Sequence, residues 1–232
     1  MSDTAPPVVA AFDLDGTLTS GGSVFKWLGA VAGRRDVNRA ALRLAGPLLV
    51  GAIRSGTSAD NAKERLFRTL LAGRDAEDVR DESTRFGLEH LDAHVRPEVL
   101  ERLTWHLGQG HVVVVISASA ELYVSVIAER LGAHGAIGTR LAVDPRDKLT
   151  GGYLGKNCRG AEKLRRFEEW VAARPLVSYP VVFAYGNSRG DRRLLAHATN
   201  PVNVGHLGVL GSLRRFPRLR PVAAVTADES TD

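Results

Sequence analysis

The chain is poor in cysteine: Cys158 is the single one in 232 residues, so no internal disulfide can form, as suits a reducing compartment. A catalytic thiol needs a base and an orienting partner, and the sequence places neither around Cys158, which reads as structural. Long apolar runs are missing too. The stretch AALRLAGPLLVGAI, with Arg43 and Pro47 inside it, is too short and too broken to span a bilayer. The opening residues MSDTAPPVVA lack a basic region followed by a long apolar core, so no secretory signal is read and a cytoplasmic location is expected. Nor is there a large excess of one charge. The net charge is +5, and arginines in stretches such as EKLRRFEEW stand beside acidic residues. The basic run LRRFPRLRP is the one dense cluster and reads as a solvated end, so no nucleic-acid partner is expected.

What remains is an ordinary globular composition, 44% hydrophobic and 25% charged, on a chain long enough for one domain with a smaller insertion. Three apolar runs rich in β-branched residues each end in a small or polar cluster: VVAAF before Asp13, HVVVVIS ending at Ser117, and YPVVFAY before Gly186. Continuous runs of this kind predict strands covered on both faces, as in a parallel sheet. Helical patterns follow the second and third. AELYVSVIAERLGA puts Leu122, Val126, Ile127 and Leu131 on one face, and DRRLLAHA opens with an acidic residue suited to a helix N-terminus. The expected fold is α/β, a Rossmann-like three-layer core around a parallel sheet.

From about Gly21 to Arg96 the sequence changes character. It is rich in arginine and alanine, amphipathic in NAKERLFRTLLAG and DESTRFGLEHLDAHV, broken at Gly46–Pro47 and Gly73, and free of strand-like runs, which predicts an inserted helical cap. IGTRLAVDPRDKLTGGYLG predicts a β-hairpin. The expected organisation is a discontinuous core of 1–20 and 97–217, a cap of 21–96 and a loose tail of 218–232. His90 and His94, four apart on a predicted helix, have metal-binding spacing but no third ligand in view, and read as an exposed polar face. AALRLAGPLLVGAI reads as cap core, with an apolar wall for a lipid-like phosphate, or a peripheral membrane patch flanked by Arg39 and Arg54, as the sharper alternative.

In an open α/β sheet, ligands bind at the carboxyl ends of the strands, where Asp13, Ser117 and Asn187 all fall. DLDGTLT, then ISAS, then the lysine of GAEK, then YGNSRGD resemble in order and spacing the four motifs of the haloacid dehalogenase-like (HAD) phosphohydrolases, over a span from about Val8 to Gly205. The insertion after the first motif is similar to the helical cap of their phosphoserine phosphatase-like branch, subfamily IB. The resemblance implies a Mg²⁺-dependent phosphomonoester hydrolase working through an aspartyl-phosphate. Asp13 would be the nucleophile, Asp15 the acid and base, and Lys163 the charge set against the phosphate. Gly16, Ser117, Ala118 and Lys163 would bind the phosphate, Thr17 would shape the turn with Gly16, and Ser119 would either cap its helix or touch the phosphate.

The implied metal ligands are the Asp13 side chain, the Asp15 carbonyl and the fourth motif, Asn187 and Asp191. Asn187 departs from the commoner aspartate: an amide oxygen brings no charge, so metal affinity falls unless Asp191 coordinates directly. Phosphoserine-specific relatives carry an acidic residue soon after the first motif, whereas TSGGSVFKWLG has none. The expected substrate is therefore a small or lipid-like phosphorylated metabolite. Alternatives are a phosphotransferase or mutase using the same intermediate, or a non-catalytic phosphate-binding module, against which the pairing of Asp13 with Asp15 speaks.

Overall fold

The protein's structure, a computed structural model, describes residues 6–44, 57–175, 180–205 and 213–222. The first apolar run is β1 (Val8–Phe12), the second β2 (Val112–Ala120) and the third β6 (Val181–Gly186). Together with β3 (Gly135–Thr139) and β7 (Asn200–Asn203) they form one sheet of order β3-β2-β1-β6-β7, every pairing of which is parallel. Side chains of a strand alternate between faces. In β1 this sends Ala10 and Phe12 into one buried cluster and Val9 and Ala11 into another, so the sheet is covered on both sides and the core has three layers. The chain steps outward through β1, β2 and β3, then returns on the other side of β1 with β6. That reversal opens a crevice at the carboxyl ends of β1 and β6, where α/β sheets bind ligands.

Between β1 and β2 lie α1 (Val24–Ala32), α2 (Arg34–Arg43), α3 (Thr57–Leu71), α4 (Ala76–His94) and α5 (Pro97–Gly108). Among the described residues this region holds no strand of the sheet. Its entry and exit lie side by side: Ser20 N donates to His94 O at 2.8 Å and Arg96 N to Leu18 O at 2.9 Å. The segment AALRLAGPLLVGAI falls largely outside the described residues. α6 (Glu121–Arg130) follows β2, but its fully buried face is Tyr123, Val124, Ile127 and Ala128, a rotation from the expected stripe, because α6 packs against α4 as well as against the sheet. The predicted hairpin is β4 (Leu141–Val143) paired antiparallel with β5 (Leu149–Tyr153). α7 (Ala161–Ala172) and α8 (Arg192–His197) cover the face opposite the inserted helices.

The expectation of a loose tail from residue 218 is corrected over its first residues. Leu219 N donates to Asn203 O at 3.3 Å and Arg102 Nη2 to Arg220 O at 2.8 Å, because the outer edge of β7 offers backbone groups that need partners. Residues 223–232 lie outside the described residues.

Candidate active site

β1 ends at Phe12, whose ring stacks on Tyr185 at 4.3 Å, and the next residue, Asp13, is buried where the strand leaves the sheet. Its N–H donates to Tyr185 O at 2.9 Å, so the ladder holds its backbone to the point where the side chain turns into the crevice. Lys163, in the first turn of α7, is fully buried and places Nζ 2.8 Å from Asp13 Oδ1 and 2.5 Å from Asp191 Oδ1. Thr17 Oγ1 donates to Asp13 Oδ2 at 2.9 Å.

Two buried carboxylates thus share one ammonium. Burial, and then the charge of Asp191, lift the Asp13 carboxyl to about 7, with Lys163 pulling the other way. The carboxyl of Asp191 lies below its ordinary value despite burial, because the charge of Lys163 and hydrogen bonds from Lys163 and Ser188 outweigh it. Burial works against the Lys163 ammonium, yet the two carboxylates hold it well above the usual lysine range. Losing one partner of such a cluster strands a buried charge.

The turn after Asp13 needs glycine at 16. Its φ is +77°, and a Cβ there would stand 2.0 Å from Asn187 Nδ2, so only glycine lets the fourth-motif loop come this close. Gly16 N donates to Thr19 O at 2.7 Å and Gly16 O accepts from Arg96 Nη1 at 2.8 Å. This corrects one expectation: the Gly16 N–H closes its own turn instead of being offered to a phosphate. Arg96, just past the inserted helices, was not singled out in the sequence, where it is one of many arginines.

In the fourth motif, Asp191 Oδ2 accepts from the N–H groups of Asn187 and Ser188, at 3.2 and 2.9 Å, and from Ser188 Oγ at 2.7 Å. With Lys163 on Oδ1, both its oxygens are engaged within the protein. Asn187 Oδ1 differs: it is buried and has no hydrogen-bond partner among the described residues. A buried acceptor without a donor is costly, and a cation is one way to satisfy it. Among the described residues no three His, Cys, Asp or Glu side chains converge as a metal cluster, so a cation here would be held by a mixed set of carboxylate, amide and carbonyl oxygens.

At the end of β2, Ser117 Oγ accepts from Ser119 N at 3.1 Å, which leaves its own O–H to donate. Ala118 O accepts from Thr139 Oγ1 at 2.6 Å and from Lys63 Nζ at 2.5 Å. Lys63, on α3, was not foreseen. It also donates to Asn157 Oδ1 at 3.0 Å, and burial lowers its ammonium to about 8, with Asp60 and Asp15 pulling upward. Ser119 neither caps α6, whose N-cap is Ala120 with no side-chain cap bond, nor turns to Asp13. Its Oγ donates to Asp15 Oδ2 at 2.5 Å, while Ser23 N donates to Asp15 Oδ1 at 2.7 Å.

His90 and His94 do not form an exposed polar face. His90 is buried between Phe86 and His94, with ring centroids 5.2 and 4.5 Å away, because positions four apart on α4 stack into a ladder. Lys26 Nζ lies 2.8 Å from His94 Nε2. Cys158 is buried and free, and burial pushes its thiol up, away from the reactive thiolate. No helix among the described residues is long and apolar enough to cross a membrane.

Comparison with known proteins bears on this geometry. Residues 10–196 match the family model of the haloacid dehalogenase-like hydrolases. The chain is 31% identical over 192 residues to Protein CicA of Caulobacter vibrioides, covering 83% of each chain. It is 26% identical to a histidinol-phosphatase of Neisseria meningitidis serogroup C, over 84% of this chain and 89% of that protein. In fold it is similar to the phospho-aspartyl intermediate analogue of phosphoserine phosphatase, with a TM-score of 0.61 at 17% identity, covering 97% of this chain and 99% of the other. With the four motifs gathered at one end of a parallel sheet, the chain belongs to the haloacid dehalogenase-like hydrolase family, as an enzyme of its phosphatase kind.

Proposed function

We propose that the protein is a Mg²⁺-dependent phosphomonoester hydrolase that works through an aspartyl-phosphate on Asp13. The observation that carries this reading is the pair of carboxylates on one loop held by different means: Asp13 against Lys163, and Asp15 by a backbone N–H and a hydroxyl. A carboxylate oxygen of Asp13 attacks phosphorus, the P–O bond to the alcohol breaks, and the proton of Asp15 passes to the leaving oxygen. Water then attacks phosphorus and gives its proton to Asp15, releasing phosphate and restoring both carboxyl groups. Lys163 and the O–H of Ser117 meet the phosphoryl oxygens, and the peptide of Ala118 is pinned beside them.

The metal would be held by the Asp13 side chain, the Asp15 carbonyl and Asn187 Oδ1, whose burial without a partner is the fit. When bound, Mg²⁺ supplies the positive charge that lets a carboxylate approach a phosphate dianion. Asp191 we assign the task of fixing Lys163 and the fourth-motif loop, since both its oxygens are engaged. Residues 21–96 are the cap, and contribute Ser23 and Lys63 to the site. Closure of the cap would exclude water during phosphoryl transfer and select a small or lipid-like phosphorylated metabolite.

The test is phosphate release from a panel of phosphomonoesters, including lysophospholipid-type phosphates, with Mg²⁺ or with EDTA. Release that needs Mg²⁺ and disappears in Asp13→Asn carries the reading. Release undiminished in Asp13→Asn overturns it.

A further inference from the structure

The Asp15 carboxylate is held unlike Asp13 and Asp191, which share the Lys163 ammonium. Asp15 has no ion-pair partner among the described residues. Beyond Ser119 Oγ, its hydrogen bonds continue inward: Ser119 Oγ lies 3.3 Å from Ser23 Oγ, and Ser23 Oγ lies 2.7 Å from Tyr123 OH. All three hydroxyls belong to fully buried residues, and the Tyr123 ring is wedged between Trp27 and Phe86, with centroids 5.5 and 5.2 Å away. The sense of the chain follows from its end. A carboxylate only accepts, so Ser119 donates to Asp15, Ser23 donates to Ser119, and Tyr123 donates to Ser23.

Ser23 gives up a commoner use to join it. Ser23 occupies the N-cap position of α1, where a serine ordinarily accepts a hydrogen bond from the first turn of its own helix, yet it makes no side-chain cap bond. Ser119 directly precedes Ala120, the N-cap residue of α6. A local rule broken at α1 for one carboxylate marks a functional constraint.

We propose that Tyr123, Ser23 and Ser119 form a hydroxyl chain that positions the Asp15 carboxyl for proton transfer to the leaving group, an inference that rests on the hydrolase reading above. Hydroxyls suit this task where a lysine would not. An ammonium only donates hydrogen bonds and offers nothing to the O–H of a protonated carboxyl. A hydroxyl either donates to a carboxylate or accepts from a carboxylic acid, so the same three groups, by rotating their O–H bonds, hold Asp15 in both states of the cycle. The chain also ties the N-cap of the first inserted helix to a helix of the core. The three are positioning residues, since they act through Asp15.

Their signature is dependence on the leaving group, because an alkoxide needs the proton of the acid and a nitrophenolate hardly does. The experiment measures kcat/KM, which reports steps up to cleavage of the ester, for β-glycerol phosphate and p-nitrophenyl phosphate in saturating Mg²⁺. Removing a general acid outright costs about 10²–10⁴-fold, and misplacing it should cost the lower part of that range. Ser119→Ala is expected to lower kcat/KM for the alkyl ester by about 30–100-fold and for the aryl ester by about threefold or less. Tyr123→Phe, which removes one oxygen and keeps the ring packing, should show the same selectivity at smaller size. Once Ser119 is alanine, Tyr123→Phe should add nothing further for the alkyl ester, as members of one chain are not additive. Equal losses on both esters, or none, in Ser119→Ala or in Tyr123→Phe overturn the chain and leave the hydrolase reading standing. Turnover of neither ester by the unaltered protein sinks both.

Discussion

The two aspartates of the first motif are two residues apart and are kept in order by opposite means. Asp13 sits in a buried cluster of charge, with Lys163 bridging it to Asp191. Asp15 sits among neutral donors, the N–H and hydroxyl of Ser23 and Ser119 with Tyr123 behind them. A nucleophile must be aimed and must meet a dianion, so a cation that pins it also helps to receive the substrate. An acid and base must gain and lose a proton in each cycle, so its holders must tolerate both states. Charge suits the first task and dipoles the second.

The largest way to sharpen that contrast is through Asp13, the proposed nucleophile. Asp13→Asn should reduce phosphate release by about 10⁴-fold or more on every ester, alkyl or aryl alike, whereas lesions around Asp15 should spare the aryl ester. Stability offers the next test. Lys163→Met leaves two buried carboxylates without their cation and should cost about 3–5 kcal/mol in urea unfolding, since the group is fully buried. Ser119→Ala removes one hydroxyl bond to Asp15 and should cost about 1–2 kcal/mol by the same measurement. Equal costs would erase the distinction between charge and dipole.

Asn187→Asp should lower the Mg²⁺ concentration for half-maximal rate several-fold, because a carboxylate replaces the partnerless amide oxygen. An unchanged requirement would remove Asn187 from the ligand set. The contrast also shows in the pH dependence of metal-free stability. A folded-state carboxyl raised from 3.8 to about 7 binds its proton more tightly than the unfolded chain does. The stability contributed by Asp13 is therefore full below about 4 and is lost as pH rises through about 7. Asp191, held below its ordinary value, acts in the opposite sense, with stability present above the unfolded value and lost at lower pH. In EDTA, urea unfolding of Asp13→Asn between pH 4 and 7 should lack the decline that the unaltered protein shows; parallel curves would mean that Asp13 is not the group that titrates.

Three of the five strands of the main sheet were legible as continuous β-branched runs, because inner strands are covered on both faces. The two that were not, GAIGT in β3 and NPVN in β7, are the outer strands of the sheet. Edge strands are short and tolerate glycine and proline, which dilutes the apolar signal that a sequence displays. His90 was misread for a related reason. A histidine in an amphipathic helix looks polar in sequence, and only stacking between Phe86 and His94 reveals it as buried.

By itself the sequence determined that two carboxylates stand at a strand end, with a serine, a lysine and a polar loop following in order, because strand period and turn chemistry are local properties. Which partner each carboxylate received was decided by tertiary structure alone. Lys163 reaches Asp13 across 150 positions, and Tyr123 reaches Ser23 across 100. A hydrogen bond needs its atoms within about 3 Å, and residues so distant in the chain come that close only when helices and sheet are packed together.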